Sequence, residues 1–378
     1  MPKKPSTLLA ASATFAALSV SMVLQACSEA QKDDITVGVI VPVTSSISVW
    51  GVNTERGIQL AADQINAAGG IDGRRIRLLV EDSECDPEKA TAILRRLIDE
   101  HHVPVVLGNI CSSNVLAMAP IAEASEVVLL STGASNPAIS EAGDFVFRNW
   151  PSDHIQGQLT AEHAFESGHR AIAIFFVDNA YGQGLDSEFR EHFQELGGEI
   201  SLTPSESYTE GDVDFRAQLA TIKESGADGL YLPAYTKEYP LILEQIQELE
   251  LDLPIMASET FDDPETIELA GPAANGVVFP SPASFDRTTP QGRRFAEAFE
   301  ATYGDQPGVT ADTAFDAMNI VAEALSAGAE TGPAIRDFLY EHSHHEGVAG
   351  LADFDAKGDS PKKIFFYRVA EGVAEPLR

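Results

Sequence analysis

The residues best suited to chemistry sit in two polar turns that follow short apolar runs. Val103-Pro-Val-Val-Leu-Gly-Asn-Ile-Cys-Ser-Ser-Asn114 reads as a buried strand ending at Leu107, a polar turn, and a helix capped by Ser113 or Asn114. That order leaves backbone N–H groups free and sets the Ser112 and Ser113 hydroxyls at a helix N-terminus, a seat for a small anion such as a carboxylate. Ser131-Thr-Gly-Ala-Ser-Asn-Pro137 repeats the pattern one unit later. Two such turns at the ends of neighbouring strands point to a site that grips a small zwitterion. The plainer alternatives are that Ser112 only caps its helix and that Ser135 is an ordinary turn serine ahead of Pro137.

The elements that must carry these turns alternate along the chain. A nearly continuous apolar run over 35–41 fits a parallel strand covered on both faces. A Ser-rich loop follows, then a helix over 54–67 with Ile58, Ala61, Ala62 and Ile65 on one face, stopped by Gly69-Gly70. Strands over 76–81, 105–108 and 127–131 alternate with helices over 87–101 and 114–124. The pattern restarts after Arg148-Asn-Trp-Pro-Ser-Asp153, which reads as a hinge. Helices over 153–166, 184–196, 212–224 and 237–249 then alternate with strands over 171–177, 199–208, 229–233 and 254–257. A short strand over 276–279 precedes Pro280-Ser-Pro-Ala-Ser284, read as a second linker. Helices over 291–303, 310–326 and 333–341 and a β-like end over 364–369 complete the chain. Repeated strand–helix order implies an α/β fold of two Rossmann-like lobes with parallel sheets and right-handed crossovers. Ligands of such sheets lie beyond the carboxyl ends of the strands, which places a site in the cleft between the lobes.

With 378 residues there is room for two cores. A formal net charge of −33 argues against nucleic-acid or anionic-membrane binding, both of which need a basic face, and mildly favours ammonium-bearing ligands. An acidic surface tuned for solubility explains the same charge. Residues 1–27 read as a leader: Lys3 and Lys4, an apolar stretch over 8–24, then Leu24-Gln-Ala-Cys27. The pattern resembles a bacterial lipoprotein signal with Cys27 lipidated after cleavage, although Gln25 is not the usual small residue. One acylated residue anchors a chain to a membrane without threading it through. With Cys27 used in this way, Cys85 and Cys111 remain as a pair in an oxidising compartment. A disulfide between them would stabilise the fold by roughly 3–4 kcal/mol in the chain-entropy model and hold the Ser112 turn in place.

At this point the chain resembles the branched-chain amino-acid-binding (Leu/Ile/Val) family among the solute-binding proteins of ABC importers. The likeness rests on the run over 35–42, Ala61-Ala-Asp-Gln-Ile-Asn-Ala-Ala-Gly-Gly-Ile-Asp-Gly73, Cys85-Asp-Pro87, the 108–113 turn, the Tyr-Gly-Gln-Gly core of 178–185 and Phe354-Asp-Ala-Lys-Gly-Asp359. It implies a type I periplasmic-binding fold with a three-segment hinge. One lobe then comprises 34–152 plus 281–361, and the other 153–280 plus 362–378. It also implies that Ser112 and Ser135, with turn N–H groups, hold a ligand carboxylate. A backbone carbonyl at Gly133 and the carboxylate of Glu259 meet the ammonium. Tyr181 and Tyr235 close over the ligand, and Trp50 walls its side chain. The chemistry agrees, since each charge of a desolvated zwitterion needs a fixed partner of opposite character. Packing roles remain the alternative for Tyr181, Tyr235 and Trp50, and a solvated loop role for Glu259.

No nucleophile elbow, zinc-protease helix, phosphate-binding loop or dinucleotide fingerprint is present. His342-Ser-His-His-Glu346 has metal-attracting residue types but reads as a solvated loop. The expectation is therefore an exported, lipid-anchored, non-enzymatic receptor without cofactor or metal. Its membrane contact would run through the N-terminal lipid only. Its partners would be a neutral, mostly aliphatic amino acid and ABC permease subunits. The alternatives are a receptor for an amide, urea or small organic acid, and a ligand-sensing subunit of a signalling system.

Overall fold

The computed structural model of the chain describes residues 1–2, 33–342 and 344–377. Cys27, expected to carry the lipid, and the apolar leader stretch over 8–24 lie outside the described residues. The first sheet is built from β1 (Ile35–Val41), β2 (Ile76–Asp82), β3 (Val105–Gly108), β4 (Val128–Ser131) and β5 (Val146–Arg148) in the order β2-β1-β3-β4-β5. All its pairings are parallel, so each strand is joined to the next by a crossover. Helices α1 (Ser48–Ala67), α2 (Pro87–Asp99) and α3 (Ser112–Ser125) supply the first three. The apolar strand runs face inward on both sides because helices cover both faces; Val37, Val39, Val105 and Leu107 pack on one and Ile40 and Val106 on the other.

The second sheet contains β6 (Ala171–Val177), β7 (Glu199–Ile200), β8 (Glu206–Tyr208), β9 (Gly229–Leu232), β10 (Ile255–Ala257) and β11 (Val278–Pro282). Helices α4 (Asp153–Glu166), α5 (Ala180–Glu195), α6 (Arg216–Glu224), α7 (Glu238–Glu248) and α8 (Pro264–Ala270) accompany these strands. The chain then returns to the first lobe with α9 (Pro290–Tyr303), α10 (Ala311–Ser326), α11 (Gly332–His342) and a hairpin of β12 (His345–Gly347) and β13 (Gly350–Ala352). Finally β14 (Ile364–Ala370) and β15 (Val373–Pro376) re-enter the second sheet, antiparallel at its edge. This is the α/β architecture the sequence implied, with three passages between the lobes. The second sheet is mixed, however, because its last two strands return as a hairpin.

Several local expectations are corrected. Residues 280–282 are not linker: they extend β11 and pair with β14 across Pro280↔Phe366 and Pro282↔Ile364. Proline is tolerated there because β10 pairs with β11 only at Val278, so no neighbouring strand needs an N–H from Pro280 or Pro282. The stretch read as one strand over 199–208 is two short ones, and α8 was not foreseen. The 342–346 histidine segment is not simply a solvated loop. His345 lies on β12, with its ring close to Glu323 at 2.9 Å and largely covered.

Register decides where the polar turns emerge. Ile40 pairs with Gly108, Gly108 with Ser131, and Ser131 with Arg148, so β1, β3, β4 and β5 end on one edge. In the second sheet Ile174 pairs with Tyr231 and Leu232 with Ala257, so the turns after β6, β9 and β10 leave from one edge as well. The two edges face one another.

Candidate functional site

The first-lobe side of the cleft starts from the Ser131 hydroxyl. It donates to the Asn109 carbonyl at 2.7 Å and accepts from the Ala134 N–H at 3.0 Å, tying the two polar turns together. Cys111, not Ser113 or Asn114, is the N-cap of α3, and its side chain makes no capping hydrogen bond. The Ser113 hydroxyl accepts instead from the Ala180 N–H of the second lobe at 3.2 Å. Cys85 and Cys111 are disulfide-bonded, with Cα atoms 5.7 Å apart, which fixes the start of α3 against the loop after β2. Ser112 is the first helical residue and buried; its Oγ accepts from the Ser135 and Asn136 N–H groups at 3.3 and 3.2 Å. Turn N–H groups are thus spent on Ser112. Gly133 is required by the close approach of the turns, since a Cβ there would lie 2.7 Å from Ile110 Cγ2.

Arg148, at the end of β5, is fully buried and organises the same turn. It pairs with Asp359 at 2.6 Å and donates to the carbonyls of Ser135 and Asn136, each at 2.9 Å. Neither Arg148 nor Asp359 was singled out from the sequence as part of a site. A lone arginine closing an apolar strand run was the available signal.

The second-lobe side is carried by α4, α5 and the turns after β9 and β10. Glu259 sits in a short 3-10 turn after β10 and is buried, not solvated. Its Oε2 accepts from Gln156 Nε2 at 2.6 Å and from the Tyr181 hydroxyl at 2.9 Å. Both donors are neutral, and burial pushes the carboxyl up to about 7. Tyr181, in the first turn of α5, stacks on Tyr235 with ring centroids 5.5 Å apart. The Tyr235 hydroxyl accepts from Asn179 Nδ2 at 3.0 Å.

A second buried carboxylate, Asp153, was missed because Arg148–Asp153 was read only as a hinge. It accepts from the Ser135 hydroxyl at 2.8 Å and lies 3.3 Å from Gln156 Nε2. Burial, then the Glu259 charge, holds it well above the usual carboxylate range. Asp153 and Gln156 are three residues apart on α4 and so share one face, the signal that a polar pair lies at the cleft.

Trp50 is not in a loop: α1 starts at Ser48, six residues before the expected 54, so Trp50 lies in its first turn. It is buried edge-on to Trp150, with centroids 5.5 Å apart, and joins the same apolar cluster as Tyr181 and Tyr235. The structure therefore brings Ser112, Gly133 and Ser135 together on one side and Tyr181, Tyr235 and Glu259 on the other. Trp50 and Trp150 lie in the apolar contact between the lobes.

The lobes are closed on one another. Ser46, in the loop after β1, donates its hydroxyl to Glu238 Oε1 at 2.5 Å and its N–H to Glu210 Oε1 at 3.0 Å. Thr236 Oγ1 and Lys237 Nζ donate back to the Ser46 and Ser45 carbonyls at 2.8 and 2.6 Å.

Comparison with known proteins places this geometry. Residues 34–373 match the model of a family described as periplasmic binding protein. The leucine-, isoleucine-, valine-, threonine- and alanine-binding protein of Pseudomonas aeruginosa is 28% identical over 348 residues, covering 92% of each chain. The substrate-binding protein LivJ of a branched-chain amino acid transporter of Streptococcus pneumoniae, solved with isoleucine, superposes with a TM-score of 0.81 at 27% identity, over 91% of this chain and 99% of that one. The leucine-binding protein LivK of Thermotoga maritima gives a TM-score of 0.82 at 27% identity, over 91% and 98%.

Proposed function

This chain belongs to the periplasmic binding protein family, and on that premise we propose that it captures a neutral amino acid between its lobes and delivers it to an ABC permease. The observation that carries the reading is Glu259, a buried carboxylate whose two hydrogen-bond donors are neutral. An ammonium is its natural counter-charge. Across the cleft the Ser112 hydroxyl, anchored through its oxygen by two N–H groups, keeps its own proton for a carboxylate. In this reading the Gly133 carbonyl adds to the ammonium site, and the Ser135 hydroxyl, which donates to Asp153, turns its proton to the carboxylate when the ligand binds. The Tyr181–Tyr235 stack and Trp50 enclose the side chain, and with no further charged group assigned to that wall the side chain is neutral and mostly aliphatic. Relatives named for leucine, isoleucine and valine support the same ligand class.

The division into lobes of 34–152 plus 281–361 and 153–280 plus 362–378 makes closure a hinge motion. A ligand touching both lobes favours the closed state through its differential affinity for it. The protein is a receptor, not an enzyme, exported by its leader and tethered through lipid on Cys27. A thermal-shift panel of the chain starting after Cys27 against the twenty amino acids, simple amides, urea and carboxylates tests this. A ligand at a hundred times its dissociation constant adds about 2.7 kcal/mol. Shifts confined to a few neutral L-amino acids are expected. Shifts with amides, urea or acids alone would remove Glu259 as an ammonium partner.

A further inference from the structure

Helices α4 and α5 pack so closely that Gly157 leaves no space between them: a Cβ there would lie 2.5 Å from Glu188 Cβ. At one end of that contact three potential metal ligands converge. His154 comes from the first turn of α4, and Glu188 and His192 from one face of α5, four residues apart. His154 Nδ1 lies 2.8 Å from Glu188 Oε2, and His192 Nε2 lies 3.7 Å from the same oxygen. One donor atom from each of the three lies within 4.8 Å of the others. Tetrahedral zinc, with ligands at about 2.0–2.2 Å, sets its ligand atoms roughly 3.4 Å apart, within the spread of these separations.

A second observation points to an ion. His192 Nε2 is buried without a hydrogen-bond partner, while its Nδ1 lies 3.4 Å from Glu195 Oε2. With Glu195 Oε2 near its Nδ1, the ring turns Nε2 toward the Glu188 carboxylate at 3.7 Å, beyond hydrogen-bond distance. A cation seated between that nitrogen and the Glu188 carboxylate would give both a partner. His154, more than half exposed, opens the cluster to solvent and leaves a position for water.

We propose that His154, Glu188 and His192 form a binding site for a divalent transition metal of the zinc type, tying α4 to α5 in the second lobe. Two imidazoles and a single carboxylate favour zinc, copper or nickel over the oxygen-seeking calcium and magnesium. Glu195 is a positioning residue that orients His192. No local pattern marks it, because His154 and Glu188 are 34 residues apart and only the packing of α4 on α5 joins them. The site stands or falls independently of which solute the cleft holds.

The test is calorimetric titration of zinc chloride into the full chain, purified without a histidine tag and stripped with chelator, with cobalt absorption as a second readout of ligand geometry. One ion per chain is expected, with binding reversed by chelator. His192→Gln, Glu188→Gln and the half-exposed His154→Ala should each weaken zinc binding at least about ten-fold, with melting temperatures in chelator near that of the parent. Absence of saturable uptake overturns the proposal. So does uptake that survives all three substitutions, or that is lost instead on replacing His344 and His345.

Discussion

Glu259 is a carboxylate buried in the second lobe with only neutral hydrogen-bond donors. Its carboxyl stands at about 7 instead of an ordinary 4.5 because burial disfavours the charge more than Gln156 and Tyr181 restore it. Below pH 4.5 it is protonated folded or unfolded, so its contribution to stability is fully present; as pH rises through about 7 it must ionise in place and that contribution is lost. The ligand-free protein should therefore melt at progressively lower temperature across that window, and Glu259→Gln should make the slope shallower in differential scanning calorimetry. Ligand binding should show the opposite dependence. An ammonium needs the ionised form, so affinity should fall by up to about ten-fold per pH unit on acidification below neutrality. Glu259→Gln should cost at least about ten-fold at pH 8 and flatten the profile, read by calorimetry. Ser135→Ala should cost less, because the Ser112 hydroxyl remains. Unchanged affinity in Glu259→Gln would put the ammonium elsewhere.

At the scale of elements, glycine and the disulfide set how the site-bearing helices sit. Gly57 lets α1 lie against α10, where a Cβ would stand 2.2 Å from the Ala311 carbonyl oxygen. Gly57→Ala should destabilise the chain by about 1–3 kcal/mol, visible as a lower urea midpoint at unchanged slope. Cys111→Ser should lower stability by roughly 3 kcal/mol through the loss of a 26-residue cross-link, and reduction of the parent should match it. The positions of β1, β3, β4, β6 and β9 were legible because these strands are nearly continuous buried apolar runs, whereas β5, β12, β13 and β15 were not foreseen. Nor were the starts of α1 and α3. α1 begins within Ser48-Val-Trp-Gly-Val, where no side-chain cap marks the N-terminus, and α3 begins after Cys111 with equally little local signal. Those two unmarked starts are what move Trp50 and Ser112 from loops into first turns.

For the whole molecule the decisive feature is closure. Ser46, Glu210, Thr236, Lys237 and Glu238 form a polar latch between the lobes, and Asn136 Nδ2 donates across the cleft to the Ala180 carbonyl at 2.5 Å. Removing one latch group should favour the open form without touching the ligand's own contacts. Ser46→Ala should accelerate ligand release several-fold with little change in association rate, measured by stopped-flow fluorescence of Trp50 and Trp150. Small-angle scattering should show a larger ligand-dependent contraction in that variant. Equal release rates would mean that the latch follows closure and does not sustain it.

What the sequence determined by itself was the alternation of strands and helices, the two polar turns and the disulfide pair, since these depend on local periodicity and on cysteine count. Its polar turns pointed to Ser112 and Ser135, whereas Gly133, Tyr181, Tyr235 and Glu259 entered through the resemblance to the Leu/Ile/Val-binding family. Tertiary structure alone decided what those groups touch. Strand register aligned the turn-bearing edges, packing within the second lobe buried Glu259 beside Gln156 and Asp153, and Arg148 found Asp359 across 211 residues. Hydrogen-bond partners and desolvation depend on distance in space, and no pattern along the chain encodes which remote polar group will fill a buried one.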